Sequence, residues 1–148
     1  AGTNSGTMNI LLANNAIYDV YTTGYTISAV DNPIGIRIAG GTGHMIYYNS
    51  VALTGAFTFT APCGSSALMI TNPIPGLNIR NNIFANGQSG VTGTKAYSIY
   101  VASGTVFTAI NYNDYYPNGS YGVLGYFGGD ISTLAGWRTA TSPGSDRG

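Results

Sequence analysis

Glutamate is absent from this 148-residue chain, and lysine, histidine, cysteine and tryptophan occur once each. Charged residues make up 7% of the sequence, against about 25% in ordinary soluble domains. Without Glu and with a single Lys, the chain lacks the residues that favour exposed helices. Five basic groups balance five aspartates to a net charge of zero, and Arg37, Arg80, Lys95, Arg138 and Arg147 lie far apart. Phosphate backbones require clustered cations, so nucleic acid is not an expected partner. No apolar run approaches the roughly 18–20 residues of a spanning helix, and membrane insertion is not expected either. One His44 and one Cys63 cannot assemble an ordinary zinc site, and Cys63 has no partner for an internal disulfide. No metal or cofactor is expected.

What is abundant points to strands. The chain carries 22 glycines and 12 tyrosines, with many Thr, Val and Ile residues, a mixture that suits short β-strands separated by tight turns. A single domain of this length can still bury a substantial core. Asp31-Asn-Pro33, Gly40-Gly41, Asn72-Pro-Ile-Pro75, Asn86-Gly87 and Asn118-Gly119 punctuate the sequence as turns.

Four segments align on an asparagine: Leu12-Ala-Asn-Asn15, Ile46-Tyr-Tyr-Asn49, Ile79-Arg-Asn-Asn82 and Ile110-Asn-Tyr-Asn113, at steps of 34, 33 and 31 residues. Each has an aliphatic residue three positions before the Asn. Ile10, His44, Leu77 and Thr108 share its parity two positions earlier, so period-two alternation turns both positions inward on a strand. The Asn then sits where the strand ends and the chain bends, a position that its side chain suits. Stacked copies of Asn15, Asn49, Asn82 and Asn113 can hydrogen-bond to one another as a ladder. A second strand is expected at Ile34–Ile38, Ala67–Ile70 and Tyr97–Val101, and a third at Thr26–Ser28, Thr58–Thr60 and Thr92–Thr94.

With these features the chain resembles the right-handed parallel β-helix repeat proteins, the group with the pectate-lyase-like fold. Ile79-Arg-Asn-Asn-Ile-Phe84 is similar to a rung motif of that group, and the likeness covers about residues 8–116. Asn113-Asp-Tyr-Tyr116 followed by Leu134-Ala-Gly-Trp137 is similar to the end of many secreted bacterial members, where a tyrosine-rich rung leads into a short helix. The resemblance implies an all-β, right-handed parallel β-helix of about four coils, secreted or on a bacterial cell surface, with a short C-terminal helix or capping segment. Residues 1–116 are read as coils and 117–148 as a turn-rich cap of the same domain. Asp130 is expected to cap a helix carrying Ile131, Leu134 and Trp137 on one face. A β-sandwich is the rival architecture. No comparable cap is visible at the N-terminus, which predicts either a homo-oligomer or continuation of a longer solenoid.

Chemistry is sparsely provided. Enzymes of the resembled fold generally need several clustered acids, and only Asp114 adjoins the Asn column, which leaves Asp114 with Arg80 as the alternative catalytic pair of a lyase or glycosidase fragment. His44, aligned inward, reads as a buried hydrogen-bonded residue, and Gly40-Gly-Thr-Gly43 as a turn lacking the lysine of a phosphate loop. The outward positions are more suggestive. Ala13, Tyr47, Arg80 and Asn111 share one column, with Asn14, Tyr48, Asn81 and Tyr112 beside it and Tyr115 extending it. Tyr faces stack on sugar rings while Asn and Arg satisfy hydroxyls, so Tyr47, Tyr48, Arg80, Asn81, Asn111, Tyr112 and Tyr115 are the expected ligand-binding residues, with a polysaccharide or surface glycan as partner. Against this stands the tendency of tyrosine to populate strands without any ligand. A non-catalytic structural or adhesin-like module is the leading expectation, and an ice-binding array on the Thr column is a third.

Overall fold

The computed structural model describes residues 6–20, 33–56, 64–90 and 92–141. Twelve strands fall into four successive rows of three. Row one comprises β1 (Leu11–Ala13), β2 (Ala16–Tyr18) and β3 (Ile34–Ile38). Row two comprises β4 (Met45–Tyr47), β5 (Ser50–Leu53) and β6 (Gly64–Ile70), and row three β7 (Pro75–Arg80), β8 (Ile83–Asn86) and β9 (Lys95–Val101). Row four comprises β10 (Val106–Asn111), β11 (Asp114–Pro117) and β12 (Gly122–Phe127). A short β13 (Asp130–Ile131) and a helix, α1 (Leu134–Ala140), follow.

Like strands of successive rows pair in parallel. The three sheets run β1-β4-β7-β10, β2-β5-β8-β11 and β3-β6-β9-β12, and β13 joins the last antiparallel, on the free edge of β12. The expectation of a mostly β chain with parallel pairing and a short C-terminal helix therefore holds. Pairing in register continues to Phe127, beyond residue 116, because β11 and β12 lie against β8 and β9 as their predecessors do.

The register explains the repeat. Leu12, Ile46, Ile79 and Ile110 occupy one column, and Ile46, Ile79 and Ile110 are fully buried. Burying an aliphatic side chain of this size is worth roughly 1.5–3 kcal/mol, so each row gains by stacking on the next. Sheet two contributes Ile17, Val51, Phe84 and Tyr115, and sheet three Ile36, Leu68, Ile99 and Gly125. That last column ends in a glycine for a packing reason. A Cβ on Gly125 would meet Trp137 Cζ3 at 2.6 Å, so the indole from α1 occupies the space of the missing side chain and is fully buried.

Four sequence expectations need correction. Phe107, rather than Thr108, pairs with Leu77: a register irregularity in β10 expels Thr108 and swings the more apolar ring toward the core. The helix is capped by Thr133, whose hydroxyl accepts from Gly136 N at 3.1 Å, whereas Asp130 lies in β13. Leu134 is exposed, leaving Trp137 as the residue α1 buries. The remaining strand of each row is the one immediately after the ladder Asn, β2, β5, β8 and β11, which form sheet two. Thr92–Thr94 instead includes a turn with Gly93 at φ +89°, while Thr26–Ser28 and Thr58–Thr60, with Cys63, lie outside the described residues.

Candidate functional site

The corner between the first and second sheets is built identically four times. Asn14, Tyr48, Asn81 and Tyr112 take φ values of +58°, +55°, +57° and +59°, and the following residue is the ladder Asn. The left-handed residue is thus the one before each ladder Asn and not the ladder Asn itself. Asn15 Nδ2 donates to Asn49 Oδ1 at 2.8 Å, Asn49 Nδ2 to Asn82 Oδ1 at 2.9 Å, and Asn82 Nδ2 to Asn113 Oδ1 at 2.9 Å. Each receiving oxygen also accepts the backbone N–H of the preceding row's Asn, at 2.9–3.1 Å. The ladder satisfies polar groups that the corner buries, where an unmade bond costs about 1–3 kcal/mol.

Outside this corner the predicted ligand-binding residues gather, with one exception. Ala13, Tyr47, Arg80 and Asn111 are direct neighbours in register across sheet one. Tyr48, Asn81 and Tyr112 stand at the adjoining left-handed positions, with Tyr48 61% and Tyr112 60% exposed. At one strand spacing per row, about 4.8 Å, the backbone sites of Tyr48 and Tyr112 lie about 9.5 Å apart. Tyr115 does not belong to this face. It continues the inward column of sheet two, packs 6.1 Å from Phe84 and 5.9 Å from Trp137 between ring centroids, and its hydroxyl accepts from Trp137 Nε1 at 3.2 Å. One residue after Asp114 on a strand, it faces the interior by the same alternation that turns Asp114 out.

Arg80 closes β7 in the third row and Asp114 opens β11 in the fourth. They start from different sheets, no ion pair joins them, and Asp114 is exposed. Arg80 Nε is buried and without a partner. Among the described residues no group of three or more His, Cys, Asp or Glu side chains could hold a metal ion, and no helix is long and apolar enough to cross a membrane.

Two features escaped sequence reasoning. On sheet three, Tyr100 and Tyr126 stack with ring centroids 4.4 Å apart and planes within 4° of parallel. Beside them Tyr97 donates its hydroxyl proton to Asp130 Oδ1 at 2.9 Å, and Lys95 pairs with Asp130 Oδ2 at 2.8 Å. Burial of the Tyr97 ring, reinforced by the acceptor carboxylate, pushes that phenol well above its ordinary value, and burial also raises Tyr100. Aligning Tyr97–Val101 with Gly122–Phe127 would have revealed the stack, because Tyr100 and Tyr126 are register partners.

The second feature is an apolar cleft of about 320 Å3 at the row-one end, lined by Met8, Ile10, Leu12, Ile36, Ile38 and Ile46, with Arg37 and His44 also contributing. His44 is buried as expected, its Nε2 held 2.9 Å from Gly40 O, while Nδ1 has no partner. A carbonyl oxygen only accepts, so Nε2 carries the proton in the neutral ring and Nδ1 is an acceptor.

No family model matches this chain, and neither the curated proteins nor the solved structures contain a match to it. The class that fold and site define is an all-β protein of three parallel sheets, with a repeated polar corner and an aromatic outer face.

Proposed function

We propose that the chain is a right-handed parallel β-helix module of a secreted or cell-surface bacterial protein, non-catalytic, which binds a polysaccharide or surface glycan through Tyr47, Tyr48, Arg80, Asn81, Asn111 and Tyr112. The solenoid reading draws support from the parallel pairing of four rows at steps of 34, 33 and 31 residues. The glycan reading draws support from the corner residues. Rows one and three place Asn in the left-handed conformation, which Asn tolerates, whereas rows two and four place Tyr there. A side chain that cannot bond locally costs roughly 1–2 kcal/mol in that region, and these two rings are largely exposed, so burial does not offset the cost. Residues held at a conformational cost mark functional surfaces. Two tyrosine-bearing backbone sites about 9.5 Å apart along the stack, with the Asn81 amide and the Arg80 guanidinium in the row between, match alternate apolar faces and hydroxyls of an extended oligosaccharide.

The double substitution Tyr48→Asn/Tyr112→Asn tests this directly, because rows one and three already fold with Asn at the same corner. Binding on a glycan array should disappear while the circular dichroism spectrum and melting temperature are retained. An intact protein that binds no glycan, or a double variant that binds as the parent does, defeats the glycan reading.

A further inference from the structure

The ladder has a direction. Every row donates to the oxygen of the row after it, so Asn49, Asn82 and Asn113 each present an Oδ1 that accepts two bonds from the row before. Asn15 begins the series. Both of its side-chain N–H groups are engaged, by Ala13 O at 3.0 Å and Asn49 Oδ1 at 2.8 Å, while no donor among the described residues reaches its Oδ1.

The same end of the molecule carries the outer edges of β1, β2 and β3, each the terminal member of its sheet among the described strands. Ile10 O and Asn14 N bond across to row two, so by the alternation of parallel strands Leu11 and Ala13 turn their N–H groups to the open side. Met8, Ile10 and Leu11 are 46%, 49% and 58% exposed, and Met8 and Ile10 line the mouth of the apolar cleft. The opposite end differs. There β13 covers the edge of β12, and Trp137 fills the interior.

We infer that the row-one end is a strand-addition site for an extended segment of a partner polypeptide, running parallel to β1 and rounding the corner into an asparagine. Donor and acceptor chemistry selects this occupant. The incoming residue must offer a backbone N–H and a side-chain N–H to Asn15 Oδ1, as Asn49 receives them from Asn15, and an aliphatic side chain three residues earlier would enter the cleft above Leu12. A second copy related by a two-fold axis does not satisfy the site, because it would set Asn15 Oδ1 against its own equivalent, acceptor against acceptor. Main-chain pairing supplies affinity in such additions, and side-chain pockets supply selectivity. This surface is separate from the tyrosine face and stands or falls without it.

The probe is a labelled peptide with the sequence of residues 44–53, which contains the strand, corner and asparagine of row two. Titrated into the full chain and followed by fluorescence anisotropy, it should bind saturably. The same peptide with Asn49→Asp, whose side chain accepts but does not donate when ionised, should bind at least tenfold more weakly at neutral pH. Hydrogen exchange should slow at the Leu11 and Ala13 amides and not along Val106–Asn111. Absence of binding, an aspartate peptide within twofold of the parent, or protection confined elsewhere overturns the inference. So does self-association of the chain that leaves no exchangeable amide on β1 for the peptide to protect.

Discussion

Asn49 and Asn82, 33 residues apart in sequence, form a buried amide-to-amide hydrogen bond of 2.9 Å, and each side chain is only 1% exposed. Asn82 Nδ2 also faces Ile46 O and Arg80 O, each at 2.9 Å, so every group around that nitrogen is an acceptor. Replacing it by a carboxylate therefore inverts the chemistry. An uncompensated buried charge costs about 3–5 kcal/mol, and Asn82→Asp should lose stability on that scale at neutral pH. The aspartate pKa would be raised in the folded state, so its folded form holds the proton more tightly than the unfolded chain does. Stability should then recover as pH falls below that raised value, because the protonated acid can again donate. Urea unfolding of the variant at pH 4 and pH 8 measures the difference, and equal stability at both would contradict the ladder.

The corner tyrosines invite a second measurement. Tyr48→Asn and Tyr112→Asn each replace a strained residue with the one that rows one and three use, so each variant should be as stable as the parent or gain about 1 kcal/mol. Tyr48→Val should move the other way, since a β-branched residue tolerates φ +55° poorly. Thermal unfolding of the three single variants ranks them.

Trp137 is the sole tryptophan and is fully buried over Gly125. Its fluorescence should be blue-shifted in the folded chain and move red on unfolding. Gly125→Ala drives a methyl group into the indole and should cost about 1–3 kcal/mol by overpacking, whereas Trp137→Ala leaves a cavity and should cost about 3–5 kcal/mol. Chemical denaturation curves read both, and a neutral Gly125→Ala would mean that the indole does not complete the column.

The Tyr97 phenol predicts a loss of stability in alkali. Its folded value lies above the unfolded one, so below about pH 10 both states hold the proton and the full contribution is present. As pH rises past that point the unfolded chain releases the proton first, and stability declines. Tyr97→Phe should flatten this dependence between pH 9 and pH 11 while removing the hydrogen bond to Asp130. An unchanged slope would show that another group governs the alkaline limb.

Much of this was legible in the chain. The stacking of Leu12, Ile46, Ile79 and Ile110, the amide ladder, the outward column of Tyr47, Arg80 and Asn111, and the burial of His44 all follow from one rule, that equivalent positions of a repeat meet one another. That rule does not locate bends. β2, β5, β8 and β11 were hidden because the left-handed residue between the Asn-bearing strand and its successor resets the alternation, so Tyr115 reads outward when counted from Asn111 and points inward when counted from Asn113. The displaced Thr108 was invisible for a similar reason: an irregularity in β10 changes parity without any residue that announces it.

Local periodicity and composition determined by themselves that this protein is built of short strands whose asparagines and aliphatics recur in columns, because alternation and turn chemistry act over a few residues. Which end of the stack is closed was decided only in three dimensions. Trp137 fills the space above Gly125, Asp130 draws together Lys95 and Tyr97, and among the described residues no donor reaches Asn15 Oδ1. Each of these depends on contacts between residues whose separation no repeat specifies, and packing geometry rather than sequence spacing sets them.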